Sequence, residues 1–128
     1  MNPLTVEWVD KAEGDFTTTL RELRARKSPN YDAACFHAQQ CVEKYLKARL
    51  QEAGISFSKT HNLTVLLDLL LPVEPSYDTF RPKLLALTAF AVAYRYPGAS
   101  ADKDTAREAL KFCKEIRQAL RLSFGLTS

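Results

Sequence analysis

The chain has two histidines, His37 and His61, in 128 residues. Its three cysteines, Cys35, Cys41 and Cys113, show no CxxC spacing. His37 and Cys41 stand four apart, but two ligands are too few for a metal centre and no second pair supports them. An odd cysteine count argues against a disulfide framework, so free thiols and a reducing, cytoplasmic location are expected. The N-terminus has no basic region followed by an apolar core, so no secretory signal is expected. No stretch reaches the roughly 18 uninterrupted apolar residues of a membrane span, and no membrane partner is expected. P-loop, GxGxxG and nucleophile-elbow patterns are missing, as are internal repeats and low-complexity segments. No cofactor is implied. Charge of one sign is scarce as well: 18 basic against 15 acidic residues leave +3. That is too little to argue nucleic-acid binding by itself.

What the chain does have is one helical domain over 1–128. A length of 128 residues suits a single core, and 46% apolar with 26% charged residues is ordinary for a globular chain. Five helical segments account for the pattern, with no convincing strand. The first runs from about Val6 to Arg26, with Val9, Ala12, Phe16, Leu20 and Leu23 on one face. Asp10, Lys11, Asp15, Arg21 and Glu22 fall on its wet side, and Ser28-Pro29-Asn30 breaks it.

The second segment runs from about Asp32 to Ala53, with Gly54 as C-cap. Ala34, Cys35, Ala38, Cys41, Val42, Tyr45, Leu46 and Leu50 form a wide apolar arc. Gln40, Glu43, Lys44, Lys47 and Gln51 lie opposite and should be wet. Lys44, Lys47 and Arg49 look like a basic stripe, but Glu43 and Glu52 interrupt it, so a solvated face is the simpler reading. Phe36 falls on the polar side, as an ordinary exposed residue or as part of a partner surface. Arg49 falls in the apolar arc and should snorkel.

A loop, 55–61, leads to a short third helix, Leu63–Leu71, capped by Asn62 and closed by Pro72. A second linker, 73–77, carries Pro75. The fourth helix starts near Phe80 or Pro82 and is apolar almost all round through Ala93, which predicts burial on most sides. Tyr94-Arg95-Tyr96-Pro97-Gly98 stops it. The fifth starts at Ser100 or Asp102 and reaches about Phe124, with Ala106, Ala109, Leu110, Cys113, Ile116 and Leu120 inward. Arg117 lies in that arc. It either snorkels, pairs with a neighbouring carboxylate, or shares a cleft with Arg95. Short connections predict an all-α, up-and-down antiparallel bundle of four long helices plus one short one.

Arg95, between Tyr94 and Tyr96, is the leading candidate for function. A guanidinium suits a flat anion such as phosphate, and tyrosine rings can stack on a base. The simpler reading is an arginine that caps the last carbonyls of its helix. Lys59 and His61 precede a helix start and could receive an anion there. Alternatively, His61 fixes its loop by bonding to backbone.

The stretch 31–48, YDAACFHAQQCVEKYLKA, resembles the signature helix of the HEPN domain family. Lys59-Thr60-His61-Asn62-Leu63 resembles that family's K-x-H-D/N-L element, and the Arg95-Tyr96-Pro97-Gly98 turn is similar to the family's turn. The resemblance spans most of the chain in one order. It implies a small prokaryotic helical bundle, often a homodimer, commonly encoded beside a minimal nucleotidyltransferase in toxin–antitoxin modules. Several branches are metal-independent RNases in which four to six residues separate an Arg from the His that follows it. The corresponding positions after Arg95 are Ser100, Ala101 and Asp102, and none is His. Asp102 near a helix start suits a cap better than a proton acceptor.

The resemblance therefore implies a nucleotide- or RNA-binding and protein-interaction protein without the usual RNase activity, in which Arg95, Tyr94 and Tyr96, with Lys59 and His61, contact phosphate or base. Two other readings are an RNase toxin pairing Arg95 with Asp102 or Tyr96, and a purely structural helical dimerisation module.

Overall fold

The computed structural model describes residues 1–127. Asn2 opens the first helix by accepting the Thr5 N–H at 2.8 Å, and Pro3 at the first helical position needs no donor of its own. The helix, α1, spans Pro3–Arg24. Asn30 caps α2, Tyr31–Ala53, and Gly54 ends it at φ +72°, a left-handed conformation that costs glycine nothing. Asn62 caps α3, Leu63–Leu70. The stretch read as a proline linker is in part a 3-10 helix, Pro75–Phe80, which leads straight into α4, Arg81–Ala93. Asp102 caps α5, Lys103–Ser123, through the Thr105 N–H at 2.7 Å.

The helices form an up-and-down bundle. The Asn2 N–H donates to Glu52 at 3.0 Å, so the start of α1 meets the end of α2 and the two run antiparallel. The Ala101 N–H donates to Asp32 at 2.7 Å, which puts the start of α5 beside the start of α2. α2 packs mainly on α1 and α5 and has smaller contacts with α3 and α4. The core gathers Leu46, Leu50, Leu63, Leu66, Leu67, Leu70, Leu84, Leu87, Ile116 and Leu120, all essentially fully buried. Small residues of α2 (Ala34, Ala38, Cys41, Ala48) let its neighbours come close, and all are fully buried. Among the described residues no helix is long and apolar enough to cross a membrane.

Two expectations are corrected by the packing. The polar side of α2 is not wet: Gln39, Glu43 and Lys47 are 4%, 2% and 6% exposed, and Asp15 of α1 is also buried. The cause is that α1 covers one flank of α2 and the 55–62 loop covers another, so α2 is a central helix. Conversely, α4 is not buried on most sides. It sends Leu84, Leu87 and Ala91 inward and leaves Leu85 and Val92 exposed at 56% and 58%.

A central helix with polar groups must partner them, because an orphaned buried charge is costly. The supposed basic stripe is therefore spent on acids. Lys44 Nζ lies 2.5 Å from Asp15 Oδ2, Lys47 Nζ 3.1 Å from Glu43 Oε2, and Arg49 Nη2 2.9 Å from Glu74 Oε1. Arg117 does not share a cleft with Arg95. Its Nε and Nη2 donate to the two Glu13 oxygens at 2.7 and 2.6 Å, and its guanidinium lies 4.1 Å from the Phe16 ring centre. Tyr45 Oη donates to Glu13 Oε2 at 2.7 Å, so this one carboxylate ties α1, α2 and α5 together.

Burial raises the Glu13 carboxyl, but hydrogen bonds from Arg117 and Tyr45 and the charges of Arg117 and Arg121 outweigh it, and the net shift is downward. A carboxyl held below its unfolded value stabilises the fold at neutral pH and loses that contribution as pH falls through the folded value. Thermal unfolding from pH 6 down to about pH 2 should show a falling midpoint for the native chain. Glu13→Gln should lower the midpoint at neutral pH and flatten the acid-side slope.

Candidate functional site

An apolar helix stopped by Pro97 and Gly98 leaves Arg95 on the turn beyond its end. Tyr94 is the C-cap of α4, and its N–H returns to Phe90 O at 3.3 Å. Gly98 takes φ +109°, a value open to glycine, and the chain turns there toward α5. Asp32 anchors the far side of this turn by accepting the Ala101 N–H.

The turn faces the first turns of α2 across an open groove of about 640 Å³ lined by Asn30, Asp32, Ala33, Phe36, Tyr94 and Arg95, with Ala91 behind. Arg95 is exposed. Among the described residues no carboxylate stands within ion-pairing distance of it, whereas Arg49, Arg81, Arg117 and Arg121 each have one. Its guanidinium lies 5.6 Å from the Phe36 ring centre, a cation–π contact that holds the cation without neutralising it. The aromatic partner of Arg95 is thus Phe36, brought to it by the fold. Tyr94 is half-buried and packs against the core, while Tyr96 is 66% exposed and does not line the groove.

Lys59 and His61 do not line this groove. His61 Nδ1 stands 3.1 Å from Glu43 Oε1, and the Gln39 amide donates to His61 O at 3.2 Å. Glu43 is seven residues beyond Phe36 on α2, two turns or about 10 Å along the helix. His61 therefore pins the 55–62 loop onto α2, and Lys59 is exposed in that loop. Asp102 is committed to its cap. Hydrogen bonds from Thr105 pull its carboxyl below the ordinary range, which makes it a poor proton acceptor.

His37, set aside in the sequence for want of metal partners, meets the same Phe36 ring as Arg95 but does not line the groove. Its ring meets the Phe36 ring edge-on at 5.2 Å and 82°, and its Nδ1 is 2.7 Å from Asp15 Oδ1. The signal in the sequence was Phe36-His37 on the polar side of α2. What was missing was the knowledge that α4 ends there. Among the described residues no group of three or more His, Cys, Asp or Glu could hold a metal. The three cysteines are buried and unbridged, and burial pushes the Cys35 thiol up to about 11.

These features define an all-helical bundle domain with a solvent-open groove carrying one free guanidinium. The profile of the HEPN domain matches residues 5–123, and the chain belongs to the HEPN family, a nucleotide-binding and RNase-like group. The crystal structure of ST0689, an archaeal HEPN homologue, is similar at 25% identity with a TM-score of 0.69, over 93% of this chain and 96% of that one. A search among curated proteins returns no match.

Asp32 gives a direct check on how the turn is held. Asp32→Ala removes the acceptor for Ala101 N–H and should raise hydrogen exchange at that amide about tenfold. Asp32→Asn keeps a carbonyl acceptor and should leave the exchange rate near that of the native chain.

Proposed function

We propose that this protein binds the phosphate of a nucleotide or RNA at Arg95, and that it acts as the binding and interaction half of a two-component, toxin–antitoxin-like module with a minimal nucleotidyltransferase in a prokaryotic cytoplasm. The observation that carries the phosphate reading is a guanidinium left exposed and unpaired while other arginines around the core are matched to acids. Tyr94 supplies a π-face for a base in the same groove, beside the Phe36 ring that carries Arg95, and the exposed Tyr96 ring adjoins them in sequence. Lys59 and His61, about two helical turns away, belong to the loop held on Glu43, and Lys59 adds positive charge at a distance. The Arg-x4-6-His pair of the RNase branches is missing, which favours binding over cleavage.

A second reading has one specific observation behind it. Asp15 orients the His37 imidazole through Nδ1, and that ring packs on the same Phe36 that carries Arg95. An imidazole so held could take the proton of a ribose 2′-hydroxyl while Arg95 steadies phosphate charge, the metal-independent RNase alternative.

Fluorescence polarisation with a short labelled single-stranded RNA separates these readings. The native chain should bind at micromolar concentration. Arg95→Ala should weaken binding about tenfold or more, the loss of one charge-assisted contact. Intact RNA after prolonged incubation supports the binder. Cleavage that survives chelators and vanishes in His37→Ala supports the second reading. Unchanged binding by Arg95→Ala would remove the basis of both.

The outward apolar stripe of α4, Leu85, Ala89 and Val92, supports a homodimer, because exposed large apolar residues at helical spacing mark interaction surfaces. Light scattering should give twice the chain mass, with Val92→Glu reverting to a monomer. Co-expression with the product of the neighbouring gene should yield a co-purifying complex with a minimal nucleotidyltransferase, and failure of both tests would favour an isolated binding domain.

A further inference from the structure

On the side of the bundle away from the Arg95 groove, α5 sorts its charges by sign. At roughly 100° per residue, Lys103, Arg107, Lys111 and Lys114 fall within an arc of about 80°. Asp104, Glu108 and Glu115 fall on the next flank, toward α4, where Glu115 pairs with Lys83. The basic flank faces α1, because Arg117 and Arg121 reach Glu13 from that side. The Glu13–Arg117 pair also sets the register of these antiparallel helices. Eleven residues on, about 16 Å at 1.5 Å per residue, Arg24 stands level with Ala106 and Arg107. The four α5 cations and Arg24 are all exposed, and none makes an ion pair among the described residues. The one carboxylate of α1 nearest this face, Glu13, is already taken by two arginines.

Cations four residues apart repel each other along a helix. Lys103–Arg107 and Arg107–Lys111 stand at that spacing, and although Asp104, Glu108 and Glu115 lie three or four residues from members of the row, none forms an ion pair with it among the described residues. A face that carries this cost and contributes nothing to the fold suits an external polyanion. Its chemistry narrows the choice. Lysine is depleted in protein interfaces, which are anchored by aromatic and apolar residues. This face has Leu110 alone in a shallow depression of about 370 Å³, beside Arg107, Lys111, Lys114 and the Lys83-bound Glu115. Single-strand binders add aromatic platforms to their cations. Here Phe16 is covered by Arg117, and Phe112 lies on the opposite flank. What remains is a straight ridge of point charges about 16 Å long, the axial rise of about five base pairs.

We infer that the α1–α5 face is a second, backbone-reading nucleic-acid surface. It takes the phosphates of a double helix without sequence preference and is independent of the Arg95 groove.

The test is polarisation titration of the full chain with a labelled duplex of about 14 base pairs over a series of salt concentrations. Four neutralised phosphates predict a slope of log affinity against log salt near −3.6, or about a 100-fold loss between 50 and 200 mM. The double variant Lys111→Gln/Lys114→Gln should reduce the magnitude of that slope by about two. Both substitutions are at exposed positions, and circular dichroism would verify the fold. Lys11→Gln, on the far side of α1, should leave the slope unchanged, and a duplex of unrelated sequence should bind equally. A native slope in the double variant, or no duplex binding at micromolar protein in low salt, would overturn the proposal. So would polyglutamate of equal charge competing as well as the duplex, since that would mark a surface for acidic proteins.

Discussion

Everything in this bundle depends on how α2 can be a central helix while carrying charge. Asp15 and Glu43 are almost fully out of water, and Glu13 is partly so. Each would destabilise the fold if left alone, by several kcal/mol for a fully buried ion. Each is met instead by at least one cation and one further donor or ring: Glu13 by Arg117, Arg121 and Tyr45, Asp15 by Lys44 and His37, and Glu43 by Lys47, Gln39 and His61. These clusters fix which helix faces which, because no other rotation of α1 about its axis brings Glu13 to α5 and Asp15 to α2 together.

That matching gives Arg95 its meaning. Lys44, Lys47, Arg49, Arg117 and Arg121 look as available as Arg95 in the sequence, and each is consumed inside the fold. Arg95 stays unpaired because the acids at its turn, Asp32 and Asp102, are engaged with the Ala101 and Thr105 amides. The Phe36 ring steadies the guanidinium and cannot neutralise it. Proline and glycine at 97 and 98 place this group just beyond α4 and opposite the start of α2. The local signal that ends a helix thus also builds the groove.

The fold was legible where pattern and cap agree. Asn62, Asp102 and Gly54 stand where the sequence places helix ends, since each acts on backbone groups within a few residues of itself. The arc from Ala34 to Leu50 is buried as its 3.6-residue period requires. Legibility fails at Glu43, Lys47 and Asp15, where polar type was read as exposure. A polar side chain reports that it needs a partner, and only the fold says whether that partner is water. It fails in the other direction at Leu85 and Val92, where apolar type was read as burial. Within the site, Arg95 was visible because it is a lone cation at a sharp helix stop. Phe36 and His37 were not, because their nearness to Arg95 is created by two helices nearly sixty residues apart.

Residue order alone determined the all-helical class, the helix ends and the place of the free cation on a turn, because these follow from periodicity and from hydrogen bonds closed over three or four residues. Which charges are spent in the interior, which ring lies under Arg95, and whether the basic flank of α5 meets an acid of α1 were decided by the tertiary structure alone. Those depend on the rotation and register of helices against one another, and that geometry is set when buried carboxylates from distant segments find their cations.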